Sequence, residues 1–119
     1  MKKILIIEDD LGILEAMRMA LEAEGHCVFS CADASDIYGH INRDHPDLII
    51  LDLFLPGTKG DAVCRDLKRA KTTRDIPLIL TSANNNLEKI AISTKADAFL
   101  AKPFDLDHLY SLITTLTKT

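Results

Sequence analysis

Apolar residues in this chain fall into two alternating patterns, short continuous runs and longer stretches that repeat every three or four positions. Ile4 to Ile7, Leu48 to Leu51 and Ile76 to Leu80 are apolar on both faces, which predicts strands of a parallel sheet buried on both sides. Cys27 to Cys31 and Ala98 to Ala101 are shorter strand candidates. Leu11, Leu14, Met17, Arg18 and Leu21 recur at helical spacing behind Asp10, an N-cap, and Gly25 sits where a helix stops, so a first helix runs to about Glu24. Asp33 or Ser35 caps a second helix that reaches about Asn42, and Pro46 forbids its continuation. A third helix spans Gly60 to about Ala70, with Val63, Leu67 and Ala70 on one side and Arg65, Lys68 and Arg69 outside. Asn84, Asn85 and Asn86 form a loop or cap before a short, weakly amphipathic helix from Leu87 to Thr94. Asp105 caps a last helix whose apolar stripe is Leu106, Leu109, Leu112, Ile113 and Leu116. Strands that alternate strictly with helices predict a doubly wound α/β fold, a parallel sheet with helices on both faces.

The stretch Pro46 to Gly57 dominates this pattern. Pro-Gly ends it with a turn, and Asp52 alone interrupts its apolar run. Burying a carboxylate costs several kcal/mol unless it is paired or ligates a metal. Asp52 could simply cap the next helix or reach solvent. Its company argues for more: in doubly wound sheets ligands bind outside the carboxyl ends of the strands, and Glu8, Asp9, Asp52, Thr81, Ser82 and Lys102 all fall at such ends.

A chain of 119 residues fits one domain, residues 1–119, able to bury roughly two-thirds of its unfolded surface without disulfide or metal. Fourteen basic and 18 acidic residues leave a net charge of −4. With no basic run longer than a pair, direct nucleic-acid binding is not expected. Cys27, Cys31 and Cys64 make an odd count without a second pair to complete a zinc set, which suits free thiols in a reducing cytoplasm. The apolar run after Lys3 stops at Glu8, too early for a signal peptide, and nothing approaches the ~18 apolar residues of a membrane span. The histidines at 26, 40, 45 and 108 share no metal-binding spacing and read as surface or packing residues.

Three carboxylates a few ångströms apart repel by roughly 3 kcal/mol per pair at about 5 Å and an effective dielectric near 20. Oxygen ligands alone, open to water, favour magnesium over zinc or a closed calcium cage. Magnesium on carboxylates is also what phosphoryl transfer uses, and Lys102 adds a second positive charge, with Ser82 or Thr81 as a hydrogen-bond donor to phosphate. A Gly-x-x-x-x-Gly-Lys-Ser/Thr loop, Gly-x-Gly-x-x-Gly and Gly-x-Ser-x-Gly are all absent. What remains is an aspartate that can itself accept a phosphoryl group.

Taken in order, Glu8-Asp9 after strand one, Asp52-Leu-Phe-Leu-Pro-Gly after strand three, a hydroxyl followed by Ala83 after strand four and Lys102-Pro103-Phe104 after strand five resemble a response-regulator receiver domain over essentially the whole chain. The resemblance implies a flavodoxin-like sheet of strand order 2-1-3-4-5 with five helices. It implies that Asp52 takes a phosphoryl group from a histidine kinase or histidine phosphotransfer protein. Asp9, Asp52 and the backbone carbonyl of Phe54 would ligate Mg2+, Glu8 acting through water, Lys102 would pair with the phosphate, and the Lys102–Pro103 peptide bond would be cis. Ser82 is the matching switch hydroxyl, with Thr81 the alternative, and Phe99 matches the aromatic that changes rotamer with it. The surface of helix 4, strand 5 and helix 5 would then control an output protein or domain. Such a domain is a regulatory switch with slow autodephosphorylation rather than an enzyme. Two departures stand out: the interval from Ser82 to Lys102 is a residue or two short, and Lys95 stands where the family has glycine, a residue that relieves a left-handed helix cap. An aspartyl-phosphate phosphatase would want an acid two residues after Asp52, where Phe54 stands. A binding module independent of phosphorylation is disfavoured because no carboxylate, lysine or hydroxyl is missing.

Overall fold

The computed structural model describes residues 1–55 and 57–117, and of Thr58 only the backbone. Pro56, half of the turn expected after the third strand, therefore lies outside the described residues. Five strands, β1 (Lys3–Ile7), β2 (Cys27–Cys31), β3 (Leu48–Asp52), β4 (Leu78–Ser82) and β5 (Ala98–Ala101), alternate with five helices, α1 (Leu11–Ala23), α2 (Ile37–Asp44), α3 (Gly60–Arg69), α4 (Leu87–Thr94) and α5 (Leu106–Leu116). The strands form one parallel sheet in the order β2-β1-β3-β4-β5. A two-residue antiparallel ribbon, Phe54–Leu55 against Thr58–Lys59, joins β3 to α3.

Because successive side chains of a strand point to opposite faces, the apolar runs divide into two layers. Leu5, Ile7, Ile49, Leu51, Leu78 and Leu80 pack against Ile37 and Ile41 of α2, Cys64 and Leu67 of α3, and Leu87 and Ala91 of α4. Ile4, Ile6, Leu48, Ile50, Ile79 and Leu100 pack against Leu14, Met17 and Leu21 of α1 and Leu109 and Ile113 of α5. Every residue of β3 is buried, as its double-sided apolar run requires.

Local sequence explains most boundaries. Asp10 accepts a hydrogen bond from Ile13 N at 3.1 Å and caps α1, and Asp105 accepts from Asp107 N at 3.2 Å and caps α5. The second helix departs from expectation. Asp33 binds the backbone N and hydroxyl of Ser35 at 2.9 and 2.6 Å, forming a turn ahead of the helix, so Asp36 occupies the N-cap position. That helix also runs on to Asp44, with His45 as a left-handed C-cap at φ 48. Leu11 and Leu106, assigned to apolar stripes, are 69% and 42% exposed, and the buried stripe begins about one turn later in each helix, at Leu14 and Leu109. Lys68 does not stay outside: its ammonium binds Asp97 at 2.7 Å and Ile76 O at 3.1 Å across the start of β4. No helix among the described residues is long and apolar enough to cross a membrane.

Candidate functional site at the carboxyl edge of the sheet

Backbone pairing brings the polar residues together. Glu8 N donates to Cys31 O at 3.1 Å, Leu53 N to Thr81 O at 2.9 Å and Lys102 N to Ser82 O at 2.8 Å, so each strand is held to its neighbour one residue past its end. Glu8, Asp52 and Lys102 stand in phase with Ile6, Ile50 and Leu100, the side of the sheet covered by α1 and α5. Carboxylate oxygens of Glu8, Asp9 and Asp52 lie within 4.8 Å of one another. Glu8 and Asp52 are 2% and 5% exposed, while Asp9 opens to solvent.

The acids are not left to repel one another. Lys102 Nζ donates to Glu8 Oε1 at 2.6 Å and to Asp52 Oδ2 at 3.2 Å, bridging two buried carboxylates. Glu8 Oε2 also accepts from Asp10 N at 3.2 Å, and Asp52 Oδ1 from Phe54 N at 3.1 Å. Burial raises the Glu8 pKa and outweighs the lowering by Lys102; neighbouring Asp52 pushes it further up. Burial works to lower the Lys102 pKa, but its bonds and charge attraction to Glu8 and Asp52 leave it raised, so the ammonium is held charged. Sequence reading placed Lys102 at this edge but reserved it for phosphate. Its pairing with Glu8, a contact across 94 residues, is a product of topology alone.

Gly60 supports the same corner. Its N donates to Leu53 O at 3.0 Å, and a Cβ there would come within 2.4 Å of that oxygen and 2.6 Å of Leu53 Cα. Only a residue without a side chain lets α3 start against the residue that follows Asp52. The signal available in the sequence was a glycine opening a helix, where it is otherwise unfavourable.

Both candidate hydroxyl residues are buried. Thr81 is the register partner of Asp52, and Ser82, one residue further, accepts from Asn84 N at 3.0 Å. Phe99, paired in register with Leu80, is 38% exposed and lines a cleft of about 410 Å³ with Ile92 of α4 and His108 and Leu112 of α5. The Lys102–Pro103 peptide is cis, as the resemblance implies. Lys95 takes the left-handed conformation, φ 64 and ψ 29, so the cap geometry persists without glycine.

Three oxygen donors without nitrogen or sulfur suit a hard divalent cation, and Asp9 keeps one side open to water. A carboxylate, a lysine and hydroxyls at one sheet edge can together accept and hold a phosphoryl group.

Comparison with known proteins bears on the chain as a whole. The chain is 37% identical to the DNA-binding dual master transcriptional regulator RpaA of Synechocystis over 99% of its own length and 50% of that protein's. It is 34% identical to the phosphate regulon transcriptional regulatory protein PhoB of Escherichia coli over 94% of its length, again 50% of the relative. The chain thus spans about half the length of the curated relatives it matches. Among solved structures, the signal receiver domain of a signal transduction histidine kinase from Syntrophus aciditrophicus superposes with a TM-score of 0.89 at 29% identity, covering 98% of this chain and 90% of that one. The family model described as response regulator receiver domain matches residues 4–114. With the sheet order, the acidic edge and its lysine already in place, this match establishes that the chain belongs to the response-regulator receiver domain family.

Proposed function

We propose that this domain is a phosphorylation-controlled switch in which Asp52 accepts a phosphoryl group from a phosphohistidine on a histidine kinase or histidine phosphotransfer protein. An Asp52 carboxylate oxygen attacks phosphorus as the bond to the histidine nitrogen breaks, leaving an aspartyl phosphate here and a free imidazole on the donor. Asp9, Asp52 and the backbone carbonyl of Phe54 would hold Mg2+, with Glu8 acting through water, and the ion would neutralise charge on the oxygens of the transferred group. Lys102 leaves its present carboxylate partners to bind a phosphate oxygen, which frees Glu8 to orient water. Ser82 donates its hydroxyl to the phosphate, with Thr81 the alternative donor, and Phe99 changes rotamer as that hydroxyl moves. The surface of α4, β5 and α5 then presents a different face to an output partner or domain, and slow hydrolysis of the aspartyl phosphate resets the switch in the cytoplasm.

The observation that carries this proposal is the bridge of Lys102 between Glu8 and Asp52, with Asp9 alongside. It supports an acceptor carboxylate held beside a cation that can bind a phosphate oxygen. Incubation with a small acyl phosphate and magnesium should add one phosphoryl group by intact mass. The gain should vanish in chelator and in Asp52→Asn; a gain that persists in Asp52→Asn would refute Asp52 as acceptor.

A further inference from the structure

The opposite edge of the molecule carries a second charged cluster that the switch chemistry does not use. A cleft of about 280 Å³ lies between the carboxyl ends of α3 and α4, lined by Arg65, Lys68, Arg69, Ser93, Thr94 and Lys95. Lys68 is neutralised by Asp97, whose Oδ2 also accepts from Leu78 N at 2.8 Å. Arg65, Arg69 and Lys95 make no ion pair with any described residue. Three cations without a close ion-pair partner thus border one cleft in a chain of net charge −4.

Helix dipoles favour cations in a last turn and so account for Lys68 and Arg69. Arg65, one turn earlier, has the opposite charge of Asp61 at i−4 as well as the like charge of Arg69 at i+4, so helix pairing by itself does not call for it. A cation at Lys95, the C-cap of α4, suits the same dipole, but the dipole does not call for a side chain in a left-handed conformation where glycine is free of strain. A residue that breaks a local rule marks a place where its side chain serves something other than stability. The guanidinium groups of Arg65 and Arg69 present paired donors suited to phosphate oxygens, and Lys95 adds a point charge from the facing helix.

We infer that this cleft binds a small phosphorylated ligand, its phosphate groups held by Arg65, Arg69 and Lys95. The recessed shape favours a small molecule over a flat acidic protein surface. Its place beside Leu78, at the start of β4, sets it at the other end of the sheet from Asp52, so binding here needs neither Asp52 nor magnesium.

Isothermal titration of the whole chain with inorganic pyrophosphate, in chelator and at physiological ionic strength, tests this, with amide NMR shifts to locate the site. Saturable binding with shifts at residues 93–95 is expected, unchanged in Asp52→Asn. Arg65→Gln and Arg69→Gln should each weaken it about tenfold or more, the loss of a charge-assisted contact. Lys95→Gln, at an exposed position, should weaken it as well, with circular dichroism confirming that each variant is folded. Lys2→Gln/Lys3→Gln, which removes two charges elsewhere, should leave it unchanged. No saturable binding, an equal loss in the Lys2/Lys3 variant, or shifts at residues 8, 52 and 102 instead would overturn the inference. So would tighter binding of a poly-glutamate peptide than of pyrophosphate, which would mark the cleft as a protein-docking surface.

Discussion

At the scale of single residues, the site is a balance of charges with Lys102 at its centre. Replacing it by methionine leaves Glu8 and Asp52 buried without a side-chain cation. Losing one partner of a fully buried pair costs about 3–5 kcal/mol; Lys102 is 17% exposed, so a loss of ~2–3 kcal/mol is expected in urea unfolding at pH 7.5. The loss should shrink toward pH 5. Glu8 has a folded pKa raised above its unfolded value, so its contribution to stability is full below the unfolded pKa and fades as pH rises through the folded one. Without Lys102 the folded pKa rises further, so protonation of Glu8 relieves part of the stranded charge as pH falls. A loss independent of pH would show that Glu8 is not the group left stranded. Asp52→Asn should act oppositely. It removes a charge but keeps an acceptor for Lys102, so the variant should be about 1 kcal/mol more stable than wild type in chelator. The acids are partly relieved by Lys102, which keeps this gain below that expected for three unpaired carboxylates. Excess magnesium should narrow or reverse the difference, because ion binding to the native state stabilises by RT ln(1 + [L]/Kd) and the wild type has the fuller ligand set. Equal gains from magnesium in the two proteins would sink a site containing Asp52.

Individual elements make different demands. The ribbon after β3 and the first turn of α3 share the backbone contact between Gly60 and Leu53. Gly60→Ala forces either α3 or Leu53 to move, an overpacking of backbone that should cost more than ~2 kcal/mol and slow phosphorylation by acyl phosphate, since Leu53 follows the acceptor directly. Unchanged stability and rate would mean that this corner yields freely. The carboxyl end of α4 shows the reverse case. Lys95 stands at φ 64, where a side chain costs about 1 kcal/mol, so Lys95→Gly should raise stability by about that much in thermal or urea unfolding. A destabilised Lys95→Gly would show that the lysine side chain repays its backbone strain within the folded chain itself.

For the molecule as a whole, the proposed switch needs a path through the sheet from the acidic edge to the distant surface. Leu80 and Phe99 are neighbours in register on β4 and β5, and Phe99 opens between α4 and α5. A change at Ser82 can therefore reach that cleft through adjacent strands, whereas α1 lies on the other side of β1 and β3. On treatment with acyl phosphate and magnesium, amide NMR shifts over residues 87–101 should exceed those over residues 14–23 of α1, and Phe99→Ala should reduce them. Shifts of equal size in both segments would place the switch surface elsewhere.

The chain alone determined a great deal. Double-sided apolar runs can be satisfied only inside a sheet covered on both faces, so Leu48 to Leu51 announced the central strand, and the acids, hydroxyls and lysine at strand ends announced the edge where chemistry gathers. Asp10 and Asp105 were legible as caps because capping is settled within one helical turn. Asp36 was not, because Asp33 and Ser35 are equally good caps in isolation and their mutual turn excludes them only once the loop folds. Lys68 looked like a surface residue, yet the start of β4 offers it a carbonyl and Asp97. The bridge from Lys102 to Glu8 and Asp52 could not be read from spacing either, because residues 94 and 50 positions apart meet only through the order in which the strands pair. Local pattern sets which residues are buried and where elements begin. Long-range pairing of charges depends on the crossovers of the sheet, and that was left for the tertiary structure to decide.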